Sequence, residues 1–313
     1  MEQAAEKDHD WVKFQVERQV TLQYYRALGA KVLRDVAEKN LATLKDHLRD
    51  AQLSKKAGIS TNYDILRVEV QVSEAQTELL NTEDNIVLAR NSLTELLGRD
   101  VDDREVAGQL PILKPEVIKS LKMDGIEDRK DLSAMKDKVN ALGHQESAAA
   151  AYLVPKISFF GQYQYYNNIN DQYNDWKNYR NAYSLGLSLS WNVFDGMVSI
   201  AKSKESIEAK YQTEKTLRIA ELKAKDDFDL YKRRYVYNCS IYSFRVDDVQ
   251  RSTESVRLAR EGRRVGARTN TDLLDAEFEL HRAQAGVVNA QLGAIEALIN
   301  LELSTGQELY KFN

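Results

Sequence analysis

The sequence predicts a mainly α-helical protein that also contains one β-hairpin. Apolar residues recur at spacings of three and four along several long segments, a 3.5-residue period typical of coiled-coil packing. Only three prolines and 14 glycines occur among the 313 residues, which favours long uninterrupted helices. The third observation is a duplicated stretch, because residues 55–69 reappear in similar form at 263–277.

Composition limits the classes of function. A net charge of -4 without a basic face gives no reason to expect a nucleic acid partner. The single cysteine, Cys239, excludes an internal disulfide and is expected to be a small buried hydrophobe. The first ten residues lack the basic start and apolar core of a secretory signal, and no run of 18 apolar residues exists. We therefore expect a soluble protein or one that enters a membrane as β-strands.

Residues 1–98 predict a first helical hairpin. Its first helix covers residues 11–57, the chain bends at Gly58, and a second helix runs to about Leu97, where Gly98 is a plausible stop. The 3.5-residue period of the second helix is carried by Ile65, Val68, Val72, Ala75, Leu79, Thr82, Ile86, Ala89 and Leu93. Such a stripe predicts neighbouring helices wrapped in a coiled coil.

Residues 99–151 change in character. The charged part, 99–128, contains Pro111, Pro115 and Gly125, and it predicts a connector packed on the outside of other elements. Residues 129–151 return to a helical pattern.

Residues 152–195 change to a period of two. Strands are predicted at 156–166 and 183–193, separated by a polar loop at 167–181. One face of the two strands carries Ile157, Phe159, Tyr163, Tyr165, Tyr183, Leu185, Leu187, Leu189, Trp191 and Val193. Each strand is about eleven residues long, enough for a tilted strand to cross a bilayer, so we expect this face to contact lipid. The alternative is a hairpin of a soluble sheet with one face in water.

Residues 196–306 predict a second hairpin, followed by a tail at 307–313. Its first helix, 196–265, contains no proline and would be on the order of 100 Å long at 1.5 Å per residue. The last helix, about 271–304, carries two apolar stripes that begin at Leu273 and Leu274, the second of which includes Phe278 and His281. Two stripes imply a partner helix on each side, as in the wall of a closed cylinder, whereas the alternative is one broad face in an ordinary bundle.

The two hairpins are related by a gapless offset of 208 positions. Identical pairs under this offset include Gly58 and Gly266, Thr61 and Thr269, Asn62 and Asn270, Asp64 and Asp272, Glu69 and Glu277, and Gly98 and Gly306. The heptad stripes also coincide, so the chain contains one helical hairpin duplicated.

These landmarks resemble the TolC family of outer-membrane efflux channels. The resemblance rests on 265–276, on Gly58, Asp64 and Leu66 in the first bend, and on the segments 129–132, 152–157 and 191–196, in the family's order. It implies a homotrimer in the outer membrane, whose paired hairpins form an α-barrel in the periplasm that is continued by a transmembrane β-barrel in outer-membrane lipid. It further implies a periplasmic adaptor (membrane fusion) protein and an inner-membrane transporter as partners, in efflux or type I secretion.

The sequence departs from the family pattern in two respects. Family members usually carry two β-hairpins per chain and a secretion signal, and under the offset of 208 Gly196 corresponds to position -12. We therefore expect a chain that lacks its N-terminal portion. The alternative is an unusual family member that has half the strands. Asn192 and Met197 also replace the proline and second glycine that the family often has.

Catalytic and cofactor motifs are not found in the sequence. The histidines show no His-x3-His spacing, and neither a Cys/His cluster nor a phosphate-binding glycine loop is present. The residues Ser199–Lys202 match Ser-x-x-Lys without its companion motifs, which we attribute to chance. We therefore expect no enzyme, no metal and no cofactor.

Acidic residues at the second bend are the candidate functional residues. Asp272 and Asp275 are three apart at a helix start, where helix capping is the simplest role. The resemblance implies that they form two acidic rings at a pore constriction, and that Asp64 and Arg268 tie the hairpins shut. The presence of Arg263 and Tyr63 suggests a rewired local network. The predicted bends themselves comprise Gly58, Thr61, Asn62, Gly266, Thr269 and Asn270.

The predicted function is a passive conduit that opens when a transporter and its adaptor dock. A periplasmic adaptor is the main rival, but it would have a single hairpin, compact β-domains and no duplication. A soluble coiled-coil scaffold is the third possibility, and it would not explain the aromatic strand pair.

Overall fold

The computed structural model describes residues 1–58, 60–99, 106–119, 121, 129–151, 154–167 and 176–311. Its helices and strands, in chain order, are α1 (Glu2–Lys56), α2 (Asn62–Leu96), α3 (Glu116–Lys119), α4 (Lys130–Ala150), β1 (Lys156–Tyr166), β2 (Arg180–Ser190), α5 (Val198–Arg264) and α6 (Asn270–Thr305). A short 3-10 helix covers Trp176–Asn178. The fold is thus mainly helical with a small β-hairpin, as predicted.

The chain divides into two compact units. One consists of Met1–Ala4 and Ala134–Ile219 and contains the β-hairpin, and the other consists of Ala5–Ser133 and Ala220–Asn313. Within the described residues, no helix combines the length and apolar character needed to cross a bilayer. The predictions for Ile59, Tyr152 and Leu153, and for parts of the connector (100–105, 120 and 122–128), lie outside the described residues.

The predicted stripe of α2 is confirmed by burial. All nine of its positions are buried or half-buried, whereas most of the residues between them are exposed. Val68, Val72 and Ala75 form one core with Leu41 of α1 and Leu274 of α6. The 3.5-residue period therefore arises because one side of α2 packs along neighbouring helices.

The two stripes of α6 face different partners, as predicted. Leu273 packs against Val256 and Ala259 of α5, whereas Leu274 belongs to the core formed with α1 and α2. One member of the second stripe differs, because Phe278 is 59% exposed. Its side chain lines a groove of about 520 Å³ between α1, α2 and α6 that these helices leave unfilled.

The connector before α3 packs on the long helices. The Tyr24 hydroxyl of α1 donates to the carbonyl of Ala107 at 2.7 Å, and the Tyr235 hydroxyl of α5 donates to the carbonyl of Lys114 at 2.9 Å. Gln291 of α6 donates to two further carbonyls of this segment. These bonds satisfy connector backbone groups that would otherwise lack partners.

The β-hairpin has the predicted two-sided character. The antiparallel register pairs Phe159 with Leu187 and Tyr163 with Tyr183, so the alternating apolar side chains of β1 and β2 lie on one face. On the other face the Phe160 ring lies over Gly186, where a Cβ would be 2.7 Å from the ring.

The predicted end of the second strand is wrong. Pairing stops at Ser190, opposite Lys156, so Trp191 and Val193 follow the strand instead of belonging to it. The residue before Lys156 is Pro155, which has no N–H to continue the ladder. Trp191 and Val193 are nevertheless exposed.

The predicted start of this strand is also wrong. Pairing continues past Tyr183 to Arg180, opposite Tyr166, so the strand begins within the predicted loop 167–181. Residues 168–175 of that loop lie outside the described residues.

Candidate functional site

The two bends have the same backbone construction. Gly58 and Gly266 have φ angles of +76° and +78°, in the left-handed region that favours glycine where a helix ends. Their amides donate to the carbonyls of Lys55 and Arg263, at 2.9 and 3.1 Å. The sequence repeat at the bends is therefore also a structural repeat.

Reciprocal capping starts the helix after each bend. The Thr269 hydroxyl accepts from the amide of Asp272 at 3.1 Å, and the Asp272 carboxylate accepts from the amide of Thr269 at 2.9 Å. Thr61 and Asp64 form the same capping box. Backbone hydrogen bonds from the threonines hold the pKa of Asp64 and Asp272 below the usual value, so both bends carry an ionised carboxylate at neutral pH.

The predicted latch residues, Asp64 and Arg268, contact residues close to them in the sequence. Asp64 also accepts from the Ser60 hydroxyl at 3.1 Å. The aliphatic part of Arg268 lies over Gly262, where a Cβ would be 2.6 Å from its Cγ, and its charge lowers the pKa of Asp272. Asp64 and Arg268 do not form an ion pair with each other in the part of the chain that the structure describes, so their latch role stays a prediction.

Other residues join the hairpins near the bends. Arg67 of α2 donates from Nη1 to the Thr271 hydroxyl at 3.2 Å, and its Nη2 lies 3.8 Å from Asp275 Oδ1. Arg263 Nη2 lies 3.5 Å from Asp50 Oδ2 of α1. Arg263 was predictable from the sequence but Arg67 was not, since helical spacing does not tell which side chains of another helix lie opposite.

The acidic pair of the second bend shares one surface. Asp272 and Asp275 line a groove of about 520 Å³ between α5 and α6, together with Glu279, Arg251 and Arg268. The spacing of three residues predicted this common surface. The groove carries both signs of charge, with the two aspartates at the end next to the bend.

A cluster of three ionisable side chains lies next to the bends. Glu277 of α6 is 6% exposed, and its Oε2 is 2.5 Å from Nε2 of His47 in α1, while its Oε1 is 3.1 Å from Nη2 of Arg260 in α5. Burial raises the pKa of Glu277, but the hydrogen bonds from His47 and Arg260 outweigh burial and hold it below its usual value. The cluster therefore keeps a charged carboxylate between three helices.

This cluster was not predicted from the sequence, although a signal was present. His47 lies between Leu44 and Leu48, which pack against the core formed by α1, α2 and α6, and Glu277 lies four and three residues after Leu273 and Leu274. Each ionisable residue therefore lies at helical spacing from apolar residues of a core, where a buried side chain needs a polar partner.

The described residues do not form a metal site, and Ser199 and Cys239 make local contacts. They contain no group of three or more His, Cys, Asp or Glu side chains that could hold a metal ion. The Ser199 hydroxyl and amide both donate to the Asp195 carboxylate, so this serine takes part in starting α5. Cys239 is buried, as predicted, and hydrogen bonds with Tyr235.

Comparison with known proteins identifies the family. The family described as outer membrane efflux protein matches residues 124–307, more than half of the 313 residues. The chain belongs to the outer membrane efflux protein family. The predicted resemblance is confirmed, and the family is one of efflux proteins rather than of enzymes.

Curated relatives are also efflux proteins. The chain is 23% identical over 309 residues to the probable efflux pump outer membrane protein TtgC of Pseudomonas putida, covering 92% of this chain and 60% of TtgC. It is 23% identical over 292 residues to the outer membrane efflux protein BepC of Brucella suis, covering 90% of this chain and 63% of BepC. The chain thus spans about 60% of the length of the curated relatives it matches.

Solved structures share the fold of this outer membrane efflux protein. The Campylobacter jejuni CmeC outer membrane channel has a TM-score of 0.84 at 14% identity, covering 97% of this chain and 65% of CmeC. The open state of the Neisseria gonorrhoeae MtrE outer membrane channel has a TM-score of 0.80 at 19% identity, covering 98% of this chain and 69% of MtrE. At these identities the likeness is one of fold.

Proposed function

We propose that the chain is a subunit of a homotrimeric exit duct in the outer membrane that serves efflux or secretion. An inner-membrane transporter drives export, and a periplasmic adaptor links the transporter to the duct. The family supports this function, as do relatives named for efflux pumps and outer membrane channels. The duct itself is passive and uses no cofactor, since the sequence has no phosphate-binding glycine loop.

The pair of matching bends is the observation that carries the proposal. Each bend presents an ionised carboxylate at a helix start, and Asp272 and Asp275 share one surface. Three chains that converge at the bends would gather these aspartates into two acidic rings across a narrow pore. Such rings attract cations and slow anions, so the bends would form a constriction that is both gate and filter.

The division of the chain follows from this proposal. The helical hairpins at 1–98 and 196–306 would form the wall of the α-barrel, with 99–151 as a connector around it and 307–313 as a tail. The segment 152–195 would be this chain's share of a transmembrane β-barrel. The apolar face of its two strands is exposed within the chain, and lipid would cover that face in a closed barrel.

Conductance of the full-length protein in planar bilayers tests the proposal. We expect discrete cation-preferring channels, and Asp272→Ala with Asp275→Ala should weaken both the cation preference and the block by polyvalent cations. Asp84→Ala is the control, because Asp84 is an exposed acid of α2 away from the bends. The absence of channels would refute the duct, whereas channels with unchanged selectivity would refute the acidic rings alone.

The latch requires its own variants. If Asp64 and Arg268 hold the hairpins shut, Asp64→Ala and Arg268→Ala should each raise the fraction of time that the channel is open. Unchanged opening in both variants would show that the latch assignment is wrong.

A further inference from the structure

Glu69 and Glu277 occupy the same position of the two repeats but have different surroundings. Position 69 plus the offset of 208 is 277, and each glutamate lies five residues after the capping aspartate of its helix. Glu69 is exposed on α2, whereas Glu277 is buried between helices. The duplication alone therefore does not explain why Glu277 is buried.

The two partners of Glu277 also have no ionisable equivalents in the repeat. Under the same offset, Ser255 takes the place of His47, and Gln52 takes the place of Arg260. A cluster of ionisable side chains is thus built around one of the two glutamates, and it includes a side chain of the other hairpin. The asymmetry means that the second hairpin is tied to the first through Glu277.

The position of Glu277 on α6 explains how it reaches two helices. It follows Leu273, which packs on α5, and Leu274, which packs on α1 and α2. One carboxylate oxygen can therefore bind Arg260 of α5 while the other binds His47 of α1. Arg260 belongs to the same hairpin as Glu277, so the His47–Glu277 contact is the one that crosses between hairpins.

The energetics of this contact depend on the hairpins staying together. Loss of His47 removes one of the two side chains that hydrogen bond to the buried Glu277 carboxylate, which is unfavourable because the buried charge is then less well compensated. Movement of the second bend away from α1 would likewise separate Glu277 from His47. Glu277 lies five residues from Asp272, roughly 7.5 Å along the helix at 1.5 Å per residue, so such a movement would be felt at the bend.

We propose that His47 and Glu277 form an inter-hairpin clamp that sets how readily the bends separate, with Arg260 orienting the Glu277 carboxylate. This inference rests on the proposed function, because the bends are a gate only if the chain is a channel subunit. Glu277 acts as a positioning residue: it does not line the pore constriction, but it holds the helix that carries Asp272 and Asp275.

Single-channel recording of the full-length protein tests the clamp. Glu277→Gln keeps the shape of the side chain but removes its charge, and we expect it to raise the open probability about tenfold. His47→Gln should raise the open probability by a similar factor. The double variant of Glu277→Gln and His47→Gln should open little more often than the more affected single variant, since the two residues act as one unit. Glu69→Gln is the matched control and should leave the open probability unchanged.

A cation at position 47 separates gating from general destabilisation. His47→Lys places a cation beside Glu277, so it should restore an open probability near that of the parent protein, whereas His47→Gln should not. Thermal unfolding of each variant is measured in parallel. A lower unfolding temperature without altered opening would overturn the clamp and leave only a structural pair.

The outcomes also separate the clamp from the proposed function. If the parent protein forms no channels, the proposed function fails. If it forms channels whose opening is the same in the parent, Glu277→Gln and Glu69→Gln, the function stands and the clamp is wrong. If His47→Gln fails to assemble, comparison of the open probabilities of Glu277→Gln and Glu69→Gln still tests the clamp.

Discussion

Arg67 Nη2 lies 3.8 Å from Asp275 Oδ1, so a cation of the first hairpin contacts an acid of the second. Both side chains remain partly exposed, at 38% and 64%. A pair of this kind contributes little to stability. The positive charge of Arg67 nevertheless lies beside Asp275, which we assign to the acidic constriction.

If the chain is a channel subunit, removal of the Arg67 charge should strengthen the cation preference of that channel. Arg67→Gln takes away a positive charge beside Asp275, so the field at the constriction becomes more negative. Reversal potentials in a salt gradient measure the change, and Lys45→Gln is the control because Lys45 is exposed on α1. An unchanged or weaker cation preference in Arg67→Gln would contradict the placement of Asp275 at the constriction.

The threonine caps should contribute measurably to stability. Thr61→Ala and Thr269→Ala each remove the hydroxyl that accepts from a helix-start amide, and we expect each to lower the free energy of unfolding by about 1 kcal/mol. Chemical denaturation of the folded protein measures the loss. Thr61→Ser and Thr269→Ser keep the hydroxyl and should stay near the parent value; an equal loss in the serine variants would show that the hydroxyl is not the cause.

The capping aspartates should make stability depend on pH at the acid end. Their pKa values are lowered in the folded chain, so they bind protons less readily than in the unfolded chain. The stability they contribute is therefore present above the ordinary value of 3.8 and is lost as the pH falls through the lower folded pKa. Asp64→Asn and Asp272→Asn should be less stable than the parent near neutral pH.

Asp64→Asn and Asp272→Asn also test this dependence of stability on pH. Thermal unfolding at neutral and at acid pH should show the difference from the parent shrinking as the aspartates of the parent become protonated. A difference that stays constant across this range would mean that the carboxylate charge does not stabilise the bends.

Substitutions on the two faces of the β-hairpin should have different effects. Leu187 lies on the apolar face and the adjacent Ser188 lies on the other. If lipid covers the apolar face, Leu187→Arg should cost about 2–4 kcal/mol near the bilayer midplane, and it should reduce the amount of trimer recovered in outer membranes. Ser188→Arg introduces the same charge on the opposite face and should reduce recovery less. Equal recovery of the two variants would argue against a lipid-facing surface.

The bends were the most predictable part of the molecule. A helix-ending glycine and a helix-starting aspartate act within a few residues of chain, so Gly266 and Asp272 sufficed to predict the bend, although Thr269 was not predicted as the cap. The common face of the β-hairpin was predictable for a similar reason, because alternation within a strand determines the side of each residue.

Predictions that depended on a partner segment were less successful. The second strand ends at Ser190 because the opposite strand begins after Pro155, and no pattern around Trp191 reports that. Phe278 continues an apolar stripe yet remains exposed, because the helices around it leave a groove.

The sequence by itself determined the two hairpins, their bends, their duplication and the family they resemble, because periodicity and capping are properties of neighbouring residues. Tertiary structure alone decided which side chains of α1, α2, α5 and α6 meet. Glu69 and Glu277 hold equivalent places in the repeat, yet one faces solvent and the other joins His47 and Arg260. Their surroundings differ because burial depends on what the other helices place opposite a residue.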